Sequence, residues 1–164
     1  MQTELDHSLP LVSEIGLACF EARGNSYALD VVLVREIVRT QEVTPLPNAP
    51  ELIEGVVELR GGLVPVLDLS RVLGGEKSEV TSRSRIVVVD CDGMLLGLCV
   101  DAATDVLSID PALLEDVPDL ATQAGYSVVR GVVRRSGASP VMVLAVEAIL
   151  ENVYRSALVN SGEN

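Results

Sequence analysis

The sequence is poor in aromatic residues, with no tryptophan, one phenylalanine (Phe20) and three tyrosines (Tyr27, Tyr126 and Tyr154). Stacking on nucleobases needs aromatic faces, and holding a phosphate backbone needs cations. Here 12 Lys and Arg residues stand against 24 Asp and Glu, a formal charge of −12. Nucleic-acid binding is disfavoured on both counts, and the acidity argues equally against docking on anionic lipid. Histidine is nearly lacking. His7 is the only one, so a Ser–His or Cys–His catalytic pair has little to draw on. No GxGxxG follows a strand-like run and no Walker A pattern occurs, which leaves nucleotide binding unsupported. The three cysteines, Cys19, Cys91 and Cys99, are odd in number, lack CxxC spacing and sit inside apolar runs. They read as reduced packing thiols rather than disulfides or metal ligands. No apolar run approaches the ~18 residues of a membrane span. Met1 to Pro10 carries Glu4 and Asp6 and lacks the apolar stretch of a signal peptide. The expectation is a cytoplasmic protein with no catalytic residues, no cofactor, no metal site and no membrane insertion.

Aliphatic residues are abundant. The chain of 164 residues is 48% hydrophobic and valine-rich, which favours strands. A chain of this length buries roughly 70% of its unfolded surface and needs no covalent staple. Residues 1–14 read as a mobile acidic tail, 15–158 as one domain and 159–164 as a frayed end. Strands are expected at Ile15–Glu21 and Tyr27–Val31 around an Arg23–Ser26 turn. Others are Gly55–Leu59 and Leu63–Leu67 around Arg60-Gly61-Gly62, and Arg85–Val89 and Met94–Val100 around Asp92-Gly93. A last pair, Val128–Arg134 and Val141–Val146, flanks Ser136-Gly137. Leu33, Val34, Ile37 and Val38 suit a short helix, closed off before Thr44-Pro45. Asp68 or Ser70 is placed to cap a helical turn around Val72 and Leu73. Residues 74–83 read as a polar linker. Turn signals at Asp110-Pro111, Pro118 and Gly125 surround one helical turn at Ala112–Glu115. Ala148–Leu158 reads as a terminal amphipathic helix.

The two halves repeat one device. Phe20–Val38 lies over Val89–Leu107 at a constant offset, with Gly24 on Gly93 and Glu36 on Asp105. Gly55-Val56-Val57 lies over Gly131-Val132-Val133. Val66-Leu67 meets Val143-Leu144 and Val72-Leu73 meets Ile149-Leu150 after one extra residue in the turn. Two small strand-rich units, each too small for a good core, gain by packing apolar faces together, the halves meeting near 74–84. Barrels closed on themselves would also protect the edges of such valine-rich sheets. Whether strands of one half complete the barrel of the other is left open by these matches.

Pro50 to Leu73, PELIEGVVELRGGLVPVLDLSRVL, resembles the signature of the CheW family. It has a proline-started turn, a Gly-led strand, an LRG hairpin tip and then VPVxDL. Tyr27 to Ile37, YALDVVLVREI, is similar to the family's segment ending in VxEI, and Gly97 to Leu107 to its GxxVDxVxDVL region. The likeness spans about residues 15 to 155. Ala28 departs from a usual glycine, and Glu58 from a usual asparagine. The resemblance implies a mainly β fold of two SH3-like five-stranded barrels on a shared apolar core, with short helices and a C-terminal helix. It also implies a non-catalytic adaptor. Its partners would be the cytoplasmic tip of chemoreceptors and the regulatory domain of a CheA-type histidine kinase, with weak self-association in arrays.

By the same resemblance Val34, Glu36, Ile37 and Arg60 belong to receptor binding, and Val43, Gly55 and Leu63 to kinase binding. An exposed guanidinium at a hairpin tip can fork onto a partner carboxylate. Read without the family, Arg60 is a solvated turn charge pairing with Glu58. Val34 and Ile37 are then core, Val43 and Leu63 ordinary strand packing, and Gly55 a backbone-geometry position. A total interface of ~1,200 Å² or less would suit an array built from many weak contacts. A parallel chemosensory system is the nearest alternative setting. A small thiol enzyme using Cys91 or Cys99 is the alternative of a different class.

Overall fold

Valine-rich segments punctuated by tight turns become ten strands in the computed structural model, which describes residues 13–118 and 128–162. The strands are β1 (Ile15–Ala22), β2 (Asn25–Asp30), β3 (Val34–Arg39), β4 (Ile53–Leu59), β5 (Gly62–Asp68), β6 (Arg85–Cys91), β7 (Met94–Val100), β8 (Ala102–Ile109), β9 (Val129–Arg135) and β10 (Ala138–Leu144). A one-turn helix, α1 (Leu69–Val72), follows β5, and α2 (Val146–Gly162) follows β10. The hairpin turns expected at Arg23-Gly24, Arg60-Gly61 and Asp92-Gly93 all form with positive φ at both residues. That is the mirror-image turn whose twist matches its flanking strands.

The strands form two five-stranded sheets, ordered β8-β1-β2-β10-β9 and β3-β6-β7-β5-β4. The second order is the first displaced by five strands, so the internal repeat appears as a repeat of topology. Each sheet unites the leading hairpin of one half with three strands of the other. The exchange left open by the sequence therefore occurs. It forces the two sheets to form together, because neither half holds a complete set of neighbours.

One bridge closes each sheet into a barrel. Past the end of β3, Thr44 exchanges two hydrogen bonds of 2.9 Å with Val56 on β4. Past β8, Glu115 does the same with Val132 on β9, at 2.9 and 2.8 Å. Closure removes the exposed edges. It also explains the matched glycines. A Cβ on Gly55, whose φ is +151°, would lie 2.3 Å from the Thr44 carbonyl oxygen, and one on Gly131 would lie 2.7 Å from Leu114. The extra residue of the second half sits not in the turn, where it is expected, but in β10, as a register shift between Ala138 and Val141.

Among the described residues, three apolar clusters form the core. Leu17, Cys19, Ala28, Val133, Val141 and Val143 line the inside of the first barrel, and Val57, Val64, Val66, Ile86 and Val88 that of the second. The largest lies on the outer faces of both sheets and includes Phe20, Leu29, Leu67, Val87, Val89, Leu98 and, from α2, Ile149 and Val153. β6 shows why its valine run is unbroken: Ile86 and Val88 face the barrel while Val87 and Val89 face the shared core. Asp68, 3% exposed, caps α1 by accepting from the Ser70 amide at 2.9 Å. It also accepts from the Ser78 amide at 2.9 Å, which ties the polar linker down.

The helix expected over residues 33–38 does not form. Only Val31–Leu33 makes a 3-10 turn, and Val34 onward is strand β3, paired with β6. The β-branched residues of this stretch lose little in a strand and gain a full ladder, so tertiary pairing outweighs the helical spacing. Strand β8 goes unread in the sequence; its exposed central residues mask it. The helical turn expected at Ala112–Glu115 shrinks to a 3-10 turn at Pro111–Leu113, freeing Glu115 to close the first barrel. Helix α2 is longer than 148–158 at both ends. Residues 1–12, with His7, and 119–127, with Gly125 and Tyr126, lie outside the described residues. Among the described residues no helix is long and apolar enough to cross a membrane.

Candidate docking surface on the second barrel

The surface begins at β3. Between Val34 and Glu36 the register with β6 slips by one residue, so Val34 opposes Val89 and Ile37 opposes Val87. Directly opposed residues share a face. Val34 and Ile37 therefore lie on the side of the shared core although three positions apart, as the helical reading intended but by a bulge. Val34 is half-buried against that core, while Ile37 is 39% exposed, so Ile37 is not a core residue. Glu36 falls on the other face, opposite Val88.

There Glu36 meets Arg60. The guanidinium donates from Nε to Oε2 at 2.9 Å and from Nη2 to Oε1 at 2.8 Å, the two-pronged geometry that only arginine supplies. This overturns the pairing with Glu58; Glu36 is the partner. Arg60 occupies the first turn position with φ +51°, a conformation unusual for a non-glycine residue. Hydrogen bonding from Arg60, assisted by the charges of Arg60 and Arg35, holds the Glu36 carboxyl below its ordinary pKa. Hydrogen bonding to Glu36 raises that of the guanidinium. The neighbouring Arg35 donates to Asp90 at 2.8 Å, and Asp90 also accepts from the Gly93 amide at 2.8 Å. Those two hydrogen bonds, the arginine's first, hold Asp90 below its ordinary pKa. Two charge pairs thus stand fixed side by side, a pattern that sequence spacing alone does not show because their members are 24 and 55 residues apart.

Arg35, Glu36, Arg60, Leu63 and Leu95 line an open hollow of about 480 Å³. Leu63 is 69% exposed, which excludes ordinary strand packing for it. Val43 and Gly55 lie elsewhere on the barrel. Val43 is half-buried against the barrel interior, and its Cγ1 lies 2.8 Å from where a Gly55 Cβ would stand. Gly55 is buried and acts through the strand closure it permits. The structure thus joins Glu36, Arg60 and Leu63 in one hollow, sets Val34 and Ile37 on the opposite face of β3, and joins Val43 to Gly55.

The thiols are unsuited to nucleophilic work. Burial, then the Asp105 charge, pushes the Cys19 thiol up to about 11. Burial, then the Asp68 and Glu54 charges, pushes Cys99 up to about 12. Cys91 is raised by burial and then by Glu147, Asp92 and Asp90. Cys91 opposes Met94 and Cys99 opposes Ile86, so the two are not partners across their hairpin. Among the described residues no group of three or more His, Cys, Asp or Glu side chains could hold a metal ion.

A family model described as the CheW-like domain matches residues 16–153. The chain is 34% identical over 140 residues to the chemotaxis protein CheW of Rhizobium meliloti (strain 1021), covering 85% of this chain and 87% of that one. It is 34% identical over 106 residues to the protein FrzA of Myxococcus xanthus, covering 63% and 64%. Among solved structures, the scaffolding protein TtCheW from Thermoanaerobacter tengcongensis superposes with a TM-score of 0.73 at 31% identity, covering 81% of this chain and 85% of that one.

Proposed function

The chain belongs to the CheW-like domain family, and from that membership we propose that it is a non-catalytic scaffold coupling chemoreceptors to a CheA-type histidine kinase. It works by presenting shaped surfaces and makes or breaks no covalent bond itself. The observation that carries the reading is the two-pronged pair joining Glu36 on β3 to Arg60 at an exposed hairpin tip, with Leu63 exposed beside it and Ile37 exposed on the other face of β3. Charge in fixed geometry flanked by exposed apolar side chains suits recognition of another protein: the apolar groups supply area and the fork supplies register.

Receptor tips engage Val34, Ile37 and the Glu36–Arg60 pair. The regulatory domain of the kinase engages Leu63 at the hollow and, elsewhere on the same barrel, Val43, whose position Gly55 sets from beneath. The protein acts in the cytoplasm and is recruited to membrane-associated receptor arrays, where weak self-association adds to many small contacts. The match to FrzA favours one second reading, in which the same scaffold serves a parallel chemosensory system.

The test is co-sedimentation with receptor-bearing membranes and, separately, co-purification with the kinase. Arg60→Glu places two like charges together and should weaken receptor recruitment about tenfold with the unfolding midpoint unchanged. Leu63→Asp should weaken the kinase contact instead. Wild-type recruitment by both folded variants would remove the surface from the function.

A further inference from the structure

A second groove, lined by neither Glu36 nor Arg60, adjoins the first hollow at Leu95. Its walls are the loop between β3 and β4 (Leu46, Pro50), the β6–β7 hairpin (Cys91, Met94) and α2 (Val153, Tyr154), around a cavity of about 320 Å³. Leu46 is 46%, Met94 47% and Tyr154 59% exposed, so large apolar groups at the mouth face water. Along α2, Leu150, Tyr154 and Leu158 recur at a spacing of four and form one ridge, and Leu158, 71% exposed, carries it past the groove. A ridge beside a trough is what a second helix packs against.

The rim is acidic. Asp92 and Glu147 stand close enough to Cys91 for their charges to act on its thiol, and among the described residues no arginine or lysine forms an ion pair with either. Asp90, the third acid near Cys91, is held by Arg35, and Glu151 one turn along α2 by Arg155. A second copy of this chain would bring the same carboxylates and a further charge of −12 onto the rim. Repulsion disfavours that occupant, and complementarity favours a cationic one.

The geometry points to this groove as a docking site for a basic amphipathic helix of a partner protein, its apolar ridge alongside α2 and its lysines or arginines over Asp92 and Glu147. The site goes beyond the receptor and kinase surfaces assigned above, and Arg60→Glu should leave it unaffected.

The test uses the full-length protein and three synthetic helical peptides: a Leu/Lys amphipathic helix, its Leu/Glu twin and a Ser/Lys twin of equal charge. Affinity is measured by calorimetry, and protection of Cys91 from maleimide by site-resolved mass spectrometry. The Leu/Lys peptide should bind and slow labelling of Cys91. Met94→Asp should weaken it at least about tenfold, and so should the double change Asp92→Lys with Glu147→Lys, which leaves the apolar walls intact. The two twins should bind far more weakly. Equal binding of the Ser/Lys peptide, or Leu/Lys binding indifferent to both variants and without protection of Cys91, would overturn the proposal.

Discussion

Replacing Gly55 by alanine tests whether barrel closure, rather than partner contact, is what that residue supplies. Its φ of +151° is a conformation that L side chains rarely adopt, and the new methyl carbon would stand 2.3 Å from the Thr44 carbonyl oxygen and 2.8 Å from Val43. The obstacle is backbone, so it cannot rotate away. The substituted strand carries ~1–3 kcal/mol of backbone strain, and Thr44 must also retreat, so that both 2.9 Å bonds to Val56 are lost at about 1 kcal/mol each. The expected destabilisation is about 3–5 kcal/mol, a large part of the 5–15 kcal/mol typical of a domain. The control is Gly61→Ala. Gly61 also has positive φ, +82°, but a Cβ there meets nothing within 4 Å, so only ~1–2 kcal/mol of backbone strain is expected. Urea unfolding of the two variants and the wild type measures both. A Gly55→Ala cost within about 1 kcal/mol of the Gly61→Ala cost would refute the closure argument. It would also return Gly55 to consideration as a contact residue.

Three further outcomes follow from the packing and the titrating groups. Phe20→Ala, at a side chain with no exposed surface in the shared core, should cost ~3–5 kcal/mol in the same unfolding assay. The thiols of Cys19 and Cys99 hold their protons more tightly in the folded chain, at about 11 and 12 against an ordinary 9.0. The folded state then binds more protons than the unfolded one above pH 9. Their stabilisation is accordingly full below that pH and is lost as pH rises toward the folded values, by up to about 2 kcal/mol for Cys99 near pH 10.5. Cys99→Ala should flatten the alkaline decline in stability measured at stepped pH; an unchanged slope would refute the assignment. In the native protein at neutral pH, maleimide should label Cys19 and Cys99 far more slowly than a free thiol, and fast labelling of either would revive thiol chemistry.

Local chemistry was readable wherever it acts over a few residues. Asp92-Gly93, Arg60-Gly61 and Arg23-Gly24 mark hairpins because the turn itself demands positive φ. Asp68 marks a cap because its side chain reaches two residues on. The internal repeat was readable because matched glycines and apolar phase survive at a nearly fixed offset, although its one extra residue falls in β10 rather than in the turn. The family was readable from the Pro50–Leu73 segment, and with it Arg60 and Glu36 as candidate site residues, although not that they bind each other.

What the residues alone could not decide is everything that depends on a partner distant in the chain. Val34–Val38 carries apolar spacing compatible with a helix, and only the ladder offered by β6 makes it a strand. β8 has too exposed a middle to be seen, and exists because β1 needs a neighbour on that side. The exchange of hairpins between halves leaves no local trace, since a strand presents the same two faces and the same hydrogen-bonding groups to any neighbour. Composition and turn chemistry determined that this chain would be valine-rich strands joined by tight hairpins in two repeated halves, and the family resemblance implied that they would form two barrels. Long-range pairing, which local sequence does not encode residue by residue, decided which strands share a barrel, and hence that Glu36 stands opposite Arg60.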